Sequence, residues 1–190
     1  GLFAAFPGLK VCSPATAADA KGLMKTAIRD NDPVYVMENT TLYGIKGHVP
    51  DPADGDFTIP LGKADIKREG TDISLIAHGA SVLRCLEAAE ILQSEHGISA
   101  EVVDLRSIRP LDQDAIINSV KKTNKACLVD ESKPFCGVSA QITTLIQEYA
   151  FDYLDAPIKR VCTIDAPAIY SPHVEKHQLP NAERIVAQVL

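Results

Sequence analysis

The chain has little of several features that would each point to a function. It has no tryptophan, 5% aromatic residues, and 19 lysines and arginines against 25 aspartates and glutamates, giving a formal charge of -6. With no basic stripe, nucleic acid is not an expected partner. No apolar run approaches the length of a membrane span, and the opening GLFAAFPGLK lacks the features of a signal peptide. We therefore expect no nucleic-acid partner and no membrane partner.

Motifs for nucleotides and metals are scarce as well. The sequence has neither a GxGxxG nor a Walker A motif. Its five cysteines are widely spaced with no CxxC pair, which favours buried free thiols over a zinc site. His173 and His177 lie four residues apart in SPHVEKHQLP, but a metal needs further ligands. We interpret that segment as an exposed, partner-facing loop.

The chain does contain a regular alternation of strands and helices. Its 190 residues, 46% of them hydrophobic, suffice for one ordinary domain or two small ones. From Asp72 onwards the predicted strands ISLIAHG, AEVVDLRSI, KACLVDE and IKRVCTID alternate with predicted helices. This order predicts parallel βαβ units with helices on both faces of the sheet. Before it, a helix capped by Thr16 and Asp19 leads to the strand PVYVM, and a Gly-, Pro- and Asp-rich stretch follows as a linker or functional loop.

Polar residues stand at the ends of the predicted strands. In open α/β sheets, ligands bind beyond the carboxyl ends of the strands. His78 is either a catalytic acid/base or, as we favour, a histidine packed at a strand end. Asp130 and Glu131 are a pair of carboxylates, but without a second pair at a suitable separation they do not define a glycosidase. Arg106 and Arg109 would bind an anion or pair with Asp104 or Asp112. These patterns do not identify a reaction.

The turn in KTAIRDNDPVYVMEN has an unusual charge. Asp30 and Asp32 follow the carboxyl end of a predicted helix, where unpaired carbonyls already carry partial negative charge. A hard cation bound by oxygen ligands would relieve the repulsion. Physical chemistry alone favours a solvated surface turn.

Several segments resemble the β subunit of the thiamine-diphosphate-dependent 2-oxo acid dehydrogenases. They include PGLKVCSPATAADAKGLMKTAIRDNDPVYVMEN, IPLGKADIKREGTDISLIAHG, EVVDLRSIRPLD and LDAPIKRVCTIDAPAIYSP, and SIRPLD with LPNAERIV is more similar to the pyruvate branch. The resemblance implies an α/β fold: a mostly parallel sheet with helices on both faces, of the transketolase C-terminal type, preceded by the tail of a pyrimidine-binding α/β domain. It places that tail at residues 1–44, a linker at 45–65 and the transketolase C-terminal-like domain at 66–190.

The same resemblance implies an activity for the complete enzyme. Pyruvate is decarboxylated on thiamine diphosphate, held with Mg²⁺, and the acetyl group passes to a lipoyl group. The family assembles as α2β2, from α subunits and a second β subunit, in the bacterial cytoplasm or in a mitochondrial matrix or plastid. The family's activating glutamate lies upstream of PGLK, so we expect a fragment with no catalytic and no cofactor-binding residue, inactive alone and serving assembly and docking. The alternatives are the C-terminal part of a transketolase or deoxyxylulose-phosphate synthase, or a non-catalytic binding module.

Two family sites correspond to residues of this chain. The resemblance implies a K⁺ site, built largely of backbone carbonyls, at Ala27, Ile28, Asp30 and Asp32, with Asp32 standing where the family more often has Asn. It also implies that Asp155 in YLDAP pairs with a basic residue of the subunit-binding domain of the dihydrolipoyl acyltransferase. A turn aspartate is the alternative for Asp155.

Overall fold

A computed structural model describes residues 1–51, 53 and 55–190. The helices and strands alternate along most of this length. In chain order they are β1 (Lys10–Cys12), α1 (Ala17–Arg29), β2 (Val34–Val36), β3 (Asp65–Arg68), β4 (Ile73–Ala77), α2 (Ser81–His96), β5 (Ala100–Asp104), β6 (Ser107–Arg109), α3 (Gln113–Thr123), β7 (Ala126–Asp130), α4 (Val138–Ala150), β8 (Lys159–Cys162), α5 (Pro172–Gln178) and α6 (Ala182–Val189). Short 3-10 turns lie at Phe3–Ala5, Thr40–Leu42 and Phe151–Tyr153.

The larger sheet has the order β3-β5-β4-β7-β8. Strands β5, β4, β7 and β8 are parallel, and β3 joins the edge antiparallel to β5. Helices α2 and α6 cover one face around Leu75, and α3 and α4 cover the other around Ile76. The predicted α/β fold, a mostly parallel sheet with helices on both faces, is confirmed.

The smaller sheet has the order β2-β1-β6. Strands β1 and β2 are parallel and are connected by α1, whereas β6 pairs antiparallel with β1. The sequence predicts AEVVDLRSI as one strand. It is two strands in different sheets, because Arg106 adopts a φ of 53° between them and turns the chain.

Local signals in the sequence fix the helix ends. Thr16 and Asp19 form the predicted capping box at the start of α1. The side chain of Asp112 caps α3, whose last turn carries Lys121 and Lys122. Helix α2 stops at Gly97, which has a φ of 68°, a conformation that glycine adopts without steric cost.

The segment SPHVEKHQLP is exposed as predicted, but it is not a loop. Helix α5 begins on Pro172, whose fixed φ suits the first helical position. The buried side chain of Gln178 bonds to the backbone of Pro167 and Ile169 and so fastens the end of this helix. The periodicity over seven residues was too short to indicate a helix by itself.

The cysteines were predicted to be buried free thiols. Cys12, Cys85, Cys127 and Cys162 are buried free thiols as predicted, but Cys136 is exposed on the loop before α4.

No helix within residues 1–51, 53 and 55–190 has both the length and the apolar character needed to cross a bilayer.

Candidate functional site

A cleft lies between the two sheets, where the carboxyl ends of β1, β2, β4 and β7 meet. It encloses a cavity of about 460 Å³. Polar side chains from four strand ends line it: Ser13, Asn39, His78, Asp130 and Glu131. The rule that ligand clefts lie beyond the carboxyl ends of strands predicted this position for His78, Asp130 and Glu131.

His78 joins the two sheets across the cleft. Its Nδ1 lies 3.2 Å from the hydroxyl of Ser13, which follows β1. Its Nε2 lies 3.6 Å from Oδ1 of Asp130, too far for a hydrogen bond, and no other described residue supplies it with a partner. The imidazole is only 11% exposed and its Nε2 is buried, so the ring is packed at a strand end, as favoured.

The carboxylate of Asp130 is buried and bonds to the loop before α4 and to the first turn of that helix. It accepts hydrogen bonds from the backbone N–H groups of Ser132 and Ser139 and from the Ser132 hydroxyl. Burial alone would raise the pKa of this carboxyl, but attraction to His78 and the bonds from Ser132 outweigh it and hold the pKa well below its usual range. Asp130 is therefore ionised at neutral pH.

Glu131 is paired with a residue that the sequence analysis missed. Asn39, beyond the end of β2, donates from Nδ2 to Oε2 of Glu131 over 2.9 Å. Burial raises the pKa of Glu131, and this effect exceeds the opposing influence of His78 and Asn39. Ser13 was missed as well. Ser13 directly follows β1 and Asn39 lies three residues beyond β2, so the strand-end rule applied to KVC and PVYVM would have found them.

A second polar cluster fastens α1 to the edge of the larger sheet. Asp19 is fully buried and accepts bonds from Nε of Arg106 at 2.7 Å and from Nζ of Lys67 at 3.0 Å. Asp65 accepts from the same two cations at 2.9 and 2.8 Å. Arg106 thus pairs with Asp19 and Asp65 through its side chain, and the expected pairing with Asp104 or Asp112 is wrong.

Asp104 completes this cluster from the end of β5. Its Oδ1 accepts the backbone N–H of Arg106. Nζ of Lys67 lies 3.5 Å from its Oδ2, which accepts no hydrogen bond from the residues that the structure describes. Burial raises the pKa of Asp104 to about 6, against the attraction of Lys67. The unpartnered oxygen explains why burial prevails.

The acidic turn after α1 is arranged around a lysine. Nζ of Lys10, on β1, lies 2.7 Å from Oδ1 of Asp30 and 3.0 Å from Oδ2 of Asp32. The hydrogen bond from Lys10 lowers the pKa of Asp30. The backbone N–H of Asp30 bonds to the carbonyl of Ala27 over 3.3 Å. Of the residues predicted to bind K⁺, the two carboxylates therefore already have a cationic partner, which was missed because Lys10 is distant in sequence.

Over the described ranges, no group of three or more histidine, cysteine, aspartate or glutamate side chains could hold a metal ion.

Asp155, the predicted docking residue, is exposed in the turn before β8. Its backbone N–H donates to the carbonyl of Asn124 over 2.9 Å, so the backbone fixes the turn and the carboxylate stays on the surface.

Comparison with known proteins gives two family matches. Residues 62–185 match the family described as "Transketolase, C-terminal domain", and residues 1–46 match "Transketolase, pyrimidine binding domain". A solved structure entitled "Split gene transketolase, inactive beta4 tetramer" superimposes with a TM-score of 0.79 at 25% identity, covering 99% of this chain and 58% of that one.

Curated relatives are similar over almost the entire chain. The acetoin:2,6-dichlorophenolindophenol oxidoreductase subunit beta of Bacillus subtilis is 50% identical over 190 residues, which are 100% of this chain and 54% of the relative. The mitochondrial pyruvate dehydrogenase E1 component subunit beta of Saccharomyces cerevisiae is 49% identical over 189 residues, 98% of this chain and 51% of the relative. The corresponding subunit of Dictyostelium discoideum is 46% identical, with 97% and 52% covered. The chain spans about half the length of these relatives.

Proposed function

Because the chain belongs to the transketolase C-terminal domain family, we propose that it is the C-terminal portion of the β subunit of a thiamine-diphosphate-dependent dehydrogenase. The observation that carries the proposal is the 46–50% identity to pyruvate and acetoin enzyme β subunits over 97–100% of the chain. The proposed reaction is decarboxylation of pyruvate with transfer of the acetyl group to a lipoyl group. The proposed compartment is the bacterial cytoplasm, with a mitochondrial matrix or plastid as the alternative.

Acetoin cleavage is the second candidate reaction. It is favoured by the 50% identity to the Bacillus subtilis acetoin enzyme subunit. The test uses the complete β subunit that contains this chain, purified together with its own α subunit. Reduction of dichlorophenolindophenol with pyruvate supports the first reaction, and reduction only with acetoin supports the second. Failure with both substrates by a folded complex that retains the α subunit would contradict the proposal.

Thiamine diphosphate is not assigned to residues of this chain. The cleft between the sheets offers Glu38, Asp130 and Glu131, and no lysine or arginine is among the described residues lining it, so it does not suit a diphosphate. We propose that the cofactor, with Mg²⁺, is bound by the parts of the β and α subunits outside residues 1–190. The expected result is that this chain plus the α subunit gives no turnover.

The proposed partners are the α subunit and a second β subunit. Exposed large apolar side chains support such contacts, because surfaces of this kind mark interfaces. Phe135, Ile164, Ile169 and Tyr170 are exposed on the loops that follow β7 and β8. The neighbouring solved structure is itself entitled a beta4 tetramer.

We further propose K⁺ at the backbone carbonyls of Ala27, Ile28, Asp30 and Asp32. Carbonyls in the last turn of an α-helix lack i→i+4 partners, and the carbonyl of Ala27, which accepts the N–H of Asp30 over 3.3 Å, keeps a second lone pair, which supports the proposal. Since Lys10 pairs with the carboxylates of both Asp30 and Asp32, the ion would be held by carbonyl oxygens rather than by side chains. Asp32 is then tolerated in place of the family's Asn, because its side chain faces Lys10.

The proposed docking residue for the acyltransferase is Asp155. Its exposed carboxylate is available to a basic partner while its backbone is fixed by Asn124. A rim charge of this kind contributes to the rate of association and its salt dependence.

A further inference from the structure

The charge cluster at the edge of the larger sheet contains more carboxylates than cations. Asp19 on α1, Asp65 on β3 and Asp104 on β5 surround Lys67 and Arg106. Asp65 and Asp104 also lie directly opposite each other in the antiparallel pair of β3 and β5, where two like charges are destabilising. With every group ionised, the three carboxylates would outnumber the two cations in a largely buried place.

The three carboxylates differ in how well they are hydrogen-bonded. Asp19 accepts four hydrogen bonds, two of them from the cations Lys67 and Arg106. Asp65 lies 2.8 and 2.9 Å from the same two cations, and its side chain is 36% exposed, so water reaches it as well. Asp104 is fully buried, and its Oδ2 accepts no hydrogen bond from any described residue. Asp104 is therefore the carboxylate of the cluster that gains most from binding a proton.

We propose that one proton on Asp104 controls how tightly α1 is held against the larger sheet. With the proton bound, Lys67 and Arg106 are left to Asp19 and Asp65, and α1 is fastened. When the proton leaves, the charge on Asp104 repels Asp19 and attracts Nζ of Lys67, which lies 3.5 Å from Oδ2. A movement of Lys67 towards Oδ2 competes with its bond to Asp19 on α1. The hold on α1 therefore weakens as the pH rises.

The surroundings of Asp104 make it the group that titrates. The charged groups that face it are Asp19 on α1, Asp65 and Lys67 on β3, and Arg106 in the turn after β5. Helix α2 presents the thiol of Cys85, which is neutral because burial raises its pKa well above its usual value. On β4 the opposing residue is Ala77, which carries no charge. Burial raises the pKa of Asp104 to about 6, against the attraction of Lys67.

The helix that this proton controls also borders the cleft between the sheets. Helix α1 connects β1 to β2, and Ser13 and Asn39, which lie beyond the ends of these strands, line the cleft. A weaker hold on α1 therefore gives more freedom to one wall of the cleft at neutral pH than in acid. This inference goes beyond the proposed function and does not depend on it, because it uses only side chains of the cluster.

Hydrogen exchange of the α1 amides tests the proposal. The sample is the complete protein that contains this chain, with the subunits that copurify with it, at pH 5 and pH 7.5. Each exchange rate is compared with that of an unstructured peptide at the same pH, which gives a protection factor. A carboxyl with a folded pKa of about 6 and an ordinary pKa after opening loses about tenfold in its stabilising effect between these pH values. The protection of α1 is therefore expected to fall about tenfold and to stay below that of α3.

Two results of this experiment would overturn the proposal. Protection of α1 that does not change with pH would show that no proton controls its hold. Protection of α1 equal to that of α3 at both pH values would show that α1 opens only when the whole fold does.

Variants identify the titrating group. Asp104→Asn keeps an acceptor for the backbone N–H of Arg106 and cannot ionise, so α1 should be protected equally at pH 5 and pH 7.5. The matched control is Asp114→Asn, the same change at an exposed position in the first turn of α3, and it should keep the tenfold difference. Both variants leave His78 and the other charged groups of the cluster in place. A tenfold fall that persisted in Asp104→Asn would assign the pH effect to another group and refute the proposal.

A measurement on the unaltered protein covers the case in which Asp104→Asn does not fold. In spectra of protein labelled with ¹³C and ¹⁵N, the carboxyl resonance of Asp104 should move between pH 5 and pH 7 as the proton leaves. The Nζ resonance of Lys67 should move with the same midpoint, because Lys67 changes partners when Asp104 ionises. A carboxyl of Asp104 that is already ionised at pH 5, or a Lys67 resonance that does not follow it, would overturn the proposal.

Discussion

Replacing Asp19 by alanine should remove the centre of the charge cluster that holds α1 against the larger sheet. The change leaves Arg106 and Lys67 in a buried site where their bonds of 2.7 and 3.0 Å to Asp19 are lost. Removing one partner of a buried ion pair lowers the free energy of unfolding by about 3–5 kcal/mol, because the remaining charge stays buried without a counter-charge. Asp65 still contacts both cations, which places the expected loss near the lower end of that range.

Urea unfolding at pH 7 measures this loss as the difference in the free energy of unfolding. For a chain of this size, a loss of about 3 kcal/mol corresponds to a fall in Tm of roughly 6–12 °C. The matched control is Asp114→Ala, an exposed aspartate in the first turn of α3, which should cost less than about 1 kcal/mol. If Asp19→Ala lost no more than this control, the cluster would not fasten α1 to the larger sheet and the reasoning would be refuted.

The pH dependence provides a second check of the same variant. Pairing with Lys67 and Arg106 and the bond from Thr16 lower the pKa of Asp19 despite its burial. A depressed folded pKa gives stability that is present above the unfolded pKa and lost as pH falls through the folded one. The difference between the unaltered chain and Asp19→Ala should therefore shrink below about pH 4, near the unfolded pKa of an aspartate. A difference that stayed constant to pH 2 would contradict the assignment of its origin to an ion pair.

Three further predictions follow from the other charged sites. Burial raises the pKa of Asp104 in the folded state from 3.8 to about 6. The protonated carboxyl therefore stabilises the folded state fully below pH 4, and this stabilisation is lost as the pH rises through 6. Asp104→Asn should therefore gain up to about 3 kcal/mol relative to the unaltered chain between pH 4 and pH 7 in urea unfolding, and parallel curves would exclude the raised pKa. If carbonyls at Ala27 and Ile28 bind K⁺, Tm should rise in KCl but not in LiCl of equal concentration, whereas coincident melting curves would remove the site. Asp155→Ala should weaken binding of the acyltransferase subunit-binding domain about tenfold in surface plasmon resonance, with unchanged Tm, and unchanged binding would exclude this carboxylate from the interface.

The fold could be predicted well because its signals are local. Buried strands such as ISLIA, caps such as Thr16 with Asp19 and the glycine at position 97 act within a few residues. The division of AEVVDLRSI into β5 and β6 could not be predicted in this way. It depends on the positive φ of Arg106 and on the pairing of β6 with β1, a contact between segments far apart in sequence.

The candidate site could be predicted only in part, for the same reason. The strand-end rule predicts that His78, Asp130 and Glu131 lie in one cleft, but it does not predict which side chains they bond to. Lys10 reaches Asp30 across 20 positions, and Asn39 reaches Glu131 across 92. Lys10 and Asp30 are brought together by the pairing of β1 with β2 in the smaller sheet, and Asn39 and Glu131 by how the two sheets face each other; no local pattern encodes either.

The pairing of β6 with β1 limits how this chain can be divided. Residues 107–109 lie within the segment that matches the transketolase C-terminal domain, yet they form an edge of the sheet built from residues 10–36. Residues 1–46 expressed alone would leave β1 with unpaired backbone groups, the condition under which strands associate with other molecules. The unit that can be exchanged between relatives by recombination is therefore the pair of sheets together, and a crossover between residues 46 and 62 would succeed only when both parents supply matching β1 and β6 edges.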